Sequence, residues 1–280
     1  MTINSLLKQA VVLLQARSQT PGLDAELLLA HTLGCQRGLL FTHPERLVTS
    51  EENNCFQQLL SRRKQGEPIA YILGHKAFWS LDLTVNKHVL IPRPETELLV
   101  ETILSLYGHQ QRIHLLELGT GSGAISLSIA TERPNWHIIA TDKSENALQC
   151  AITNAKQLAI NTIQFIHSDW YAALTPQRFD IIVSNPPYLA DNDRHFHQSD
   201  IRFEPRMALS AGKDGLDAIR SIAKEANYWL KSPGYLILEH GYQQSNAVQD
   251  IVSHHHLQIV NTFSDLAGLP RVSLAKYVNL

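Results

Sequence analysis

Apolar and polar positions change their period partway along the chain. From the N-terminus, Leu6, Leu7, Ala10, Val11, Leu13 and Leu14 recur at helical spacing, the stripe of a helix that buries one face. Pro21 and Gly22 interrupt the stripe, and Asp24 is placed to cap a second helix over 25–33 that Gly34 ends. Helical stretches at 37–41 and 56–63 and an apolar segment at 70–74 complete a helical bundle over residues 1–74, a size at which domains can fold alone. Arg62, Arg63 and Lys64 read as a solvated helix end.

Near Phe78 the period becomes two. Residues 78–85 alternate and Val89, Leu90 and Ile91 follow after Asn86 and Lys87, which predicts a β-hairpin linker over 75–92. The stiff turn Pro92-Arg93-Pro94-Glu95-Thr96-Glu97 then leads into a helix over 98–106, opened by Glu95 or Thr96. Arg93 and Glu97 either anchor the hairpin or pair on a surface. Further on, apolar runs at 113–118, 137–140, 163–167, 179–183 and 235–238 are interleaved with helical segments that include 124–130 and 145–158. Such alternation predicts an α/β domain over 93–280 with a mainly parallel sheet covered on both faces. Runs at 257–263 and 272–278 add two strands.

The bulk numbers narrow the class. Hydrophobic residues make up 44% and charged residues 18%, enough for a buried core and against wholesale disorder. Lys plus Arg number 24 against 26 for Asp plus Glu. A protein held to DNA by phosphate contacts would need a basic excess, so no direct DNA binding is expected. Cys35, Cys55 and Cys150 lack metal-ligand spacing and read as reduced thiols. His254, His255 and His256 have no carboxylate or cysteine at ligand spacing and read as an exposed segment before a strand, so no metal is expected. No apolar run reaches the roughly 18 residues that span a bilayer, and the N-terminus lacks the basic and apolar regions of a signal peptide. A soluble, cytoplasmic protein without a membrane partner is expected.

The candidate chemistry lies where strands end. The run Ile181-Ile182-Val183-Ser184 stops at Asn185, because Pro186 and Pro187 lack N–H groups and fix φ. Asn185 is therefore held at a strand end with Tyr188 just beyond. Its side-chain carbonyl can accept one hydrogen of a planar NH2 group, the Pro186 carbonyl can accept the other, and Tyr188 can close over the group. A proline-terminated core strand is the plain alternative. Gly119, Thr120, Gly121, Ser122 and Gly123 form a Gly-rich turn after Glu117 and the first strand of the α/β region. The G-x-G-x-G spacing differs from the G-x-G-x-x-G of dinucleotide folds, and the acid before it suits a cationic ligand. A tight β–α turn is again the alternative. Asp142 ends the next strand, where a carboxylate takes ribose hydroxyls. Asp169 and Trp170 end the third, where Trp170 can meet a nucleobase and Asp169 can accept from its amino group. Their coincidence at successive strand ends favours a nucleoside cofactor. His195 and His197 follow in a polar loop that can border a substrate entrance.

These residues resemble those of a class I S-adenosylmethionine-dependent methyltransferase with a Rossmann-like domain. Ile91-Pro92-Arg93-Pro94-Glu95-Thr96-Glu97, Phe203-Glu204-Pro205, Glu239-His240-Gly241, Arg271-Val272-Ser273-Leu274 and the helical N-terminal region resemble the release-factor glutamine methyltransferases, the HemK/PrmC family. The resemblance covers nearly the whole chain. It implies that Gly119 to Gly123, Asp142, Trp170 and Asn185 contact S-adenosylmethionine. It also implies that Asn185, Pro186, Pro187 and Tyr188 bind the substrate glutamine, Asn185 and Tyr188 being the catalytic pair. The implied substrate is the glutamine side-chain amide in the Gly-Gly-Gln motif of peptide chain release factors, with residues 1–74 helping to bind that partner. The rival reading is an N-methyltransferase acting on an exocyclic amine of a nucleic-acid base, since a flipped base presents a similar planar amine. A nicotinamide-dependent dehydrogenase would leave Asn185 to Tyr188 unexplained. A non-catalytic S-adenosylmethionine binder would not need the acceptor residues.

Overall fold

The computed structural model describes residues 1–197 and 200–278, with the backbone alone for His195 and His197; the expectation that these two side chains border a substrate entrance falls outside what is described. The chain forms two units, residues 1–75 with 195–203, and residues 76–194 with 204–280.

The first unit is helical: α1 (Ile3–Leu14), α2 (Pro21–Thr32), α3 (Arg37–Thr42), α4 (Ser50–Lys64) and α5 (Ile69–Leu73). Ile3, Leu6, Leu28, Leu29 and Phe56 meet in its core. Thr49 and Glu52 close a reciprocal capping box at the start of α4. Two local expectations fail here. Asp24 does not cap α2, which begins three residues earlier on Pro21, because proline's fixed φ and missing N–H suit the first helical position. Asp24 is instead buried and accepts from Arg63 Nε at 2.7 Å. Arg63 is therefore no solvated helix end: it is 5% exposed and also donates to Asp200 at 3.0 Å. Desolvation opposes its charge, and the two carboxylates outweigh that and raise its pKa.

The second unit opens with β1 (His75–Phe78) and β2 (Leu81–Thr84), which pair as a small separate sheet. The hairpin is thus shorter than the sequence predicts. Its turn is at Trp79, whose φ is +55°, and its second strand is the latter half of the alternating run. Val89 to Ile91 are not a strand, although Val89 and Ile91 are buried. Asn86 turns the chain by accepting from the backbone of His88 and of Val89, and Pro92 follows at once. A 3₁₀ turn (Pro94–Thr96) precedes α6 (Glu97–Leu106). Arg93 and Glu97 do not pair: Arg93 forks onto Glu204 at 2.7 and 2.8 Å, while Glu97 accepts the Trp79 backbone N–H at 2.8 Å.

The large sheet follows the strand order β5-β4-β3-β6-β7-β9-β8, built from β3 (His114–Leu118), β4 (His137–Asp142), β5 (Ile163–His167), β6 (Phe179–Ser184), β7 (Leu230–Glu239), β8 (Leu257–Ser264) and β9 (Pro270–Tyr277). The first five in that order run parallel, and β9 lies antiparallel between β7 and β8. Neighbouring residues split between two cores: Leu115, Ile138 and Ile181 face one, Leu116, Ile139 and Ile182 the other. That two-sided burial explains why these strands read as unbroken apolar runs. α6 and α7 (Ala124–Glu132) cover the first face, and α9 (Asp217–Trp229) and α10 (Ser245–His254) the second. α8 (Glu145–Gln157) follows β4. His254 ends α10, and His255 and His256 form the turn into β8.

Candidate active site

β3 has β4 on one side and β6 on the other, so the chain order reverses at its carboxyl end and leaves a crevice there. A cleft with about 1000 Å³ of empty space, its open mouth included, occupies that position. Gly119, Thr120, Gly121 and Ser122 after β3, Asp142 ending β4, Trp170 after β5, and Asn185 and Pro187 after β6 line it. Leu90, Pro92, Arg93, Thr96 and Met207 also line it. Gly123, Pro186 and Tyr188 are not among the lining residues.

The Gly-rich turn needs its glycines. Gly121 has φ +58°, and its N–H donates to Asp142 Oδ2 at 2.8 Å. Gly123 has φ +84°, a backbone that L side chains rarely adopt, and an added Cβ would also press on Leu127 Cδ1 at 2.8 Å. Asn154, 1% exposed on α8, accepts from Thr84 N at 2.8 Å and donates to Thr84 O at 3.0 Å and to Ser122 O at 2.9 Å. The turn is thereby fastened to β2.

Glu117 lies beneath the turn, 1% exposed. Its Oε2 accepts from Thr120 Oγ1 at 2.6 Å and from Ser126 N at 3.2 Å. Burial pushes its pKa from 4.5 up to about 7 against those hydrogen bonds. Asp142 Oδ1 accepts from Ser144 N at 2.8 Å, and burial raises its pKa also. Two backbone donors leave this carboxylate lone pairs to spare, which suits a pair of hydroxyls.

Trp170 has φ +49°, a left-handed backbone that a bulky residue adopts only when its surroundings hold it there. Ser168 Oγ does so by donating to Trp170 O at 2.8 Å. The indole then packs by Gly119, whose hypothetical Cβ lies 3.8 Å from the ring. Asp169 is engaged by Lys143 Nζ at 2.6 Å, so an adenine amino group would have to share it.

Asn185 Nδ2 donates to Thr96 Oγ1 at 3.0 Å, and its Oδ1 is buried with no hydrogen-bond partner among the described residues. A buried bare acceptor is costly unless a ligand completes it. Tyr188 is half-buried beside Glu239 and Arg271, and burial raises its hydroxyl pKa well above the ordinary value. Its backbone carbonyl accepts from Gln244 at 3.0 Å. Thr96 and Glu239 are the members of this cluster that local reading misses. Thr96 reads as a helix cap, but its hydroxyl makes no cap bond and meets Asn185 instead. Glu239 carries one local signal, an acid closing an apolar strand.

The parallel sheet, the crevice at its switch point and these residues define a class I methyltransferase. Solved structures share the fold at low identity: a methyltransferase from Pyrococcus furiosus has a TM-score of 0.54 and 18% identity, covering 81% of this chain and 99% of that one. The 16S rRNA N2 G1207 methyltransferase of T. thermophilus, in complex with AdoMet and guanosine, has a TM-score of 0.52 and 20% identity, covering 72% and 49%. Residues 5–74 match the PrmC N-terminal domain family and residues 94–202 the methyltransferase small domain family. The chain belongs to the release factor glutamine methyltransferases: it is 47% identical to the Coxiella burnetii enzyme of that name over 92% of this chain and 93% of that one, and 46% identical to the Pseudomonas aeruginosa enzyme over 99% of both. The Escherichia coli enzyme of the same name is 44% identical over 97% of each.

Proposed function

We propose that this protein transfers the methyl group of S-adenosylmethionine to the side-chain amide nitrogen (N5) of the glutamine in the Gly-Gly-Gln motif of peptide chain release factors. The observation that carries the reading is Asn185 Oδ1, an acceptor buried at the cleft with no partner among the described residues. When bound, the cofactor supplies a sulfonium-activated methyl group. Gly119 to Ser122, with Gly123 shaping the turn, would hold its amino-acid part, Asp142 would accept from the ribose hydroxyls, and Trp170 would meet the base.

An amide nitrogen is a poor nucleophile because its lone pair is delocalised into the carbonyl. Asn185 Oδ1 accepts one N–H and the Pro186 carbonyl the other, which favours a pyramidal nitrogen with its lone pair free to attack in line. Pro187 and Tyr188 flank the amide and hold it still. The enzyme contributes position and preorganised acceptors; as nitrogen takes the methyl the S–CH3 bond would break, S-adenosylhomocysteine would leave, and the methylated amide would lose its proton to water. The relatives' names favour this protein substrate over a nucleic-acid base. We assign residues 1–74 to binding the release factor, residues 75–92 to the linker and residues 93–280 to methyl transfer, all in the cytoplasm.

Changing Asn185 tests the reading. Asn185→Ala should lower methyl transfer by about 10²-fold or more, the scale of losing one preorganised polar contact to the reacting group. A variant that methylates at the normal rate contradicts the acceptor role.

A further inference from the structure

Glu239 closes β7 and is 1% exposed. The parallel register pairs Ser184 with Leu238, so the residues that follow, Asn185 and Glu239, are neighbours across the strand ends. The Thr96 hydroxyl and the Asn185 side chain both act on the Glu239 carboxyl, favouring its ionised form against burial, and the Asn185 NH2 donates to Thr96 Oγ1 at 3.0 Å. An ionised carboxylate accepts and cannot donate. It can therefore face only the NH2 end of the Asn185 amide. With that end donating to Thr96 and turned to the Glu239 carboxylate, the carbonyl oxygen is the atom left over, and it is buried without a partner among the described residues.

Building on the proposed function, we infer that Glu239, together with Thr96, is a positioning residue that locks the Asn185 amide in the one orientation that presents Oδ1 to the substrate N–H. The flipped amide would turn its own N–H donors on the substrate's NH2 group, donor against donor, and leave its carbonyl facing a carboxylate. Neither arrangement supports transfer.

The lock depends on ionisation. Burial pushes the Glu239 pKa from 4.5 up to about 7; Arg271 on β9 opposes the shift and Glu95, in the turn before α6, adds to it. Tyr188, after β6, faces the same carboxyl. Above that pH the carboxylate accepts only and the amide is fixed. Below it the carboxyl gains an O–H, which can donate to the Asn185 oxygen and compete with substrate. One Glu239 oxygen, Oε2, is buried with no partner among the described residues and is free to take that proton.

The test compares wild type, Glu239→Gln, Glu239→Leu and Thr96→Val on a purified release factor at saturating cofactor. Glu239→Leu and Thr96→Val should lose about tenfold or more in kcat, the effect of one misdirected hydrogen bond, with cofactor Kd unchanged in Glu239→Leu, since Glu239 does not line the cleft. Wild-type kcat should fall as pH drops through about 7, and Glu239→Gln should lose that acid limb. In parallel, ¹⁵N-asparagine labelling should show the Asn185 side-chain amide shifting with the same midpoint in wild type and not in Glu239→Gln. Wild-type kcat in Glu239→Leu, an unchanged acid limb in Glu239→Gln, or an amide insensitive to pH in wild type would each overturn the lock. The amide resonance needs no substrate, so a protein that fails to methylate release factors fails the proposed function while this readout still decides the lock.

Discussion

Asp142 Oδ2 accepts the backbone N–H of Gly121 at 2.8 Å, so the carboxylate at the end of β4 fastens the tip of the turn that follows β3. The same carboxylate takes Ser144 N through its other oxygen. One side chain thereby sets the shape of the cleft at the end of β3, and under the proposed function it also offers acceptors to a ribose.

Asp142→Asn separates those duties from mere size. The new NH2 must turn towards either the Gly121 or the Ser144 N–H, donor against donor. S-adenosylmethionine binding should weaken by about tenfold or more, at roughly one hydrogen bond of free energy. Isothermal titration of folded variant and wild type reads this directly, and equal affinity would remove Asp142 from the cofactor site.

Asn154 carries a structural prediction. Truncation to Ala strips partners from Thr84 N, Thr84 O and Ser122 O. Thr84 O keeps Cys150 Sγ at 3.3 Å, but Thr84 N and the buried Ser122 O lose the Asn154 contact, so the loss should be about 2 kcal/mol. Urea unfolding measures it, and a change within a few tenths of a kcal/mol would mean that the turn is held by other contacts.

In the helical unit the Asp24–Arg63 pair, with side chains only 7% and 6% exposed, is expensive to break on one side. Asp24→Leu leaves Arg63 buried with one carboxylate fewer, and removal of one buried partner costs about 3–5 kcal/mol. Unfolding of the variant should show this loss while S-adenosylmethionine affinity of the folded protein holds.

Glu117 makes a prediction in pH. Its folded pKa lies near 7, above its ordinary 4.5, so the folded state holds this proton more tightly than the unfolded chain. Its contribution to stability is then fully present below about pH 4.5 and is lost as pH rises through about 7. Glu117→Gln cannot ionise, and its stability relative to wild type should improve steadily across that window. A constant difference between the two proteins from acid to neutral pH would contradict the burial argument.

The parallel strands were readable from the sequence because burial on both faces writes them as unbroken apolar runs, as at Ile181 to Val183. The ends of those strands pointed to Gly119, Asp142, Trp170 and Asn185 for the same reason: polar or glycine residues halt each run on one side of the sheet. Local rules failed where the deciding partner is remote. Thr96 reads as a helix cap, yet its hydroxyl meets Asn185, 89 residues away. Arg63 looks solvated beside Arg62 and Lys64, but Asp24 lies 39 residues back in the sequence. Val89 and Ile91 are buried like strand residues, but Asn86 and Pro92 spend their backbone in turns. α9 carries Ile219, Ile222, Ala223 and Ala226 at helical spacing, but its polar face keeps the segment from standing out as an apolar run.

The most direct measurement is transfer of labelled methyl from S-adenosylmethionine to a purified release factor, beside the same factor with Gly-Gly-Gln changed to Gly-Gly-Ala. The account predicts label on the first, carried on the glutamine side chain, and none on the second. Equal labelling of both, or label that appears only on RNA or DNA, would contradict it.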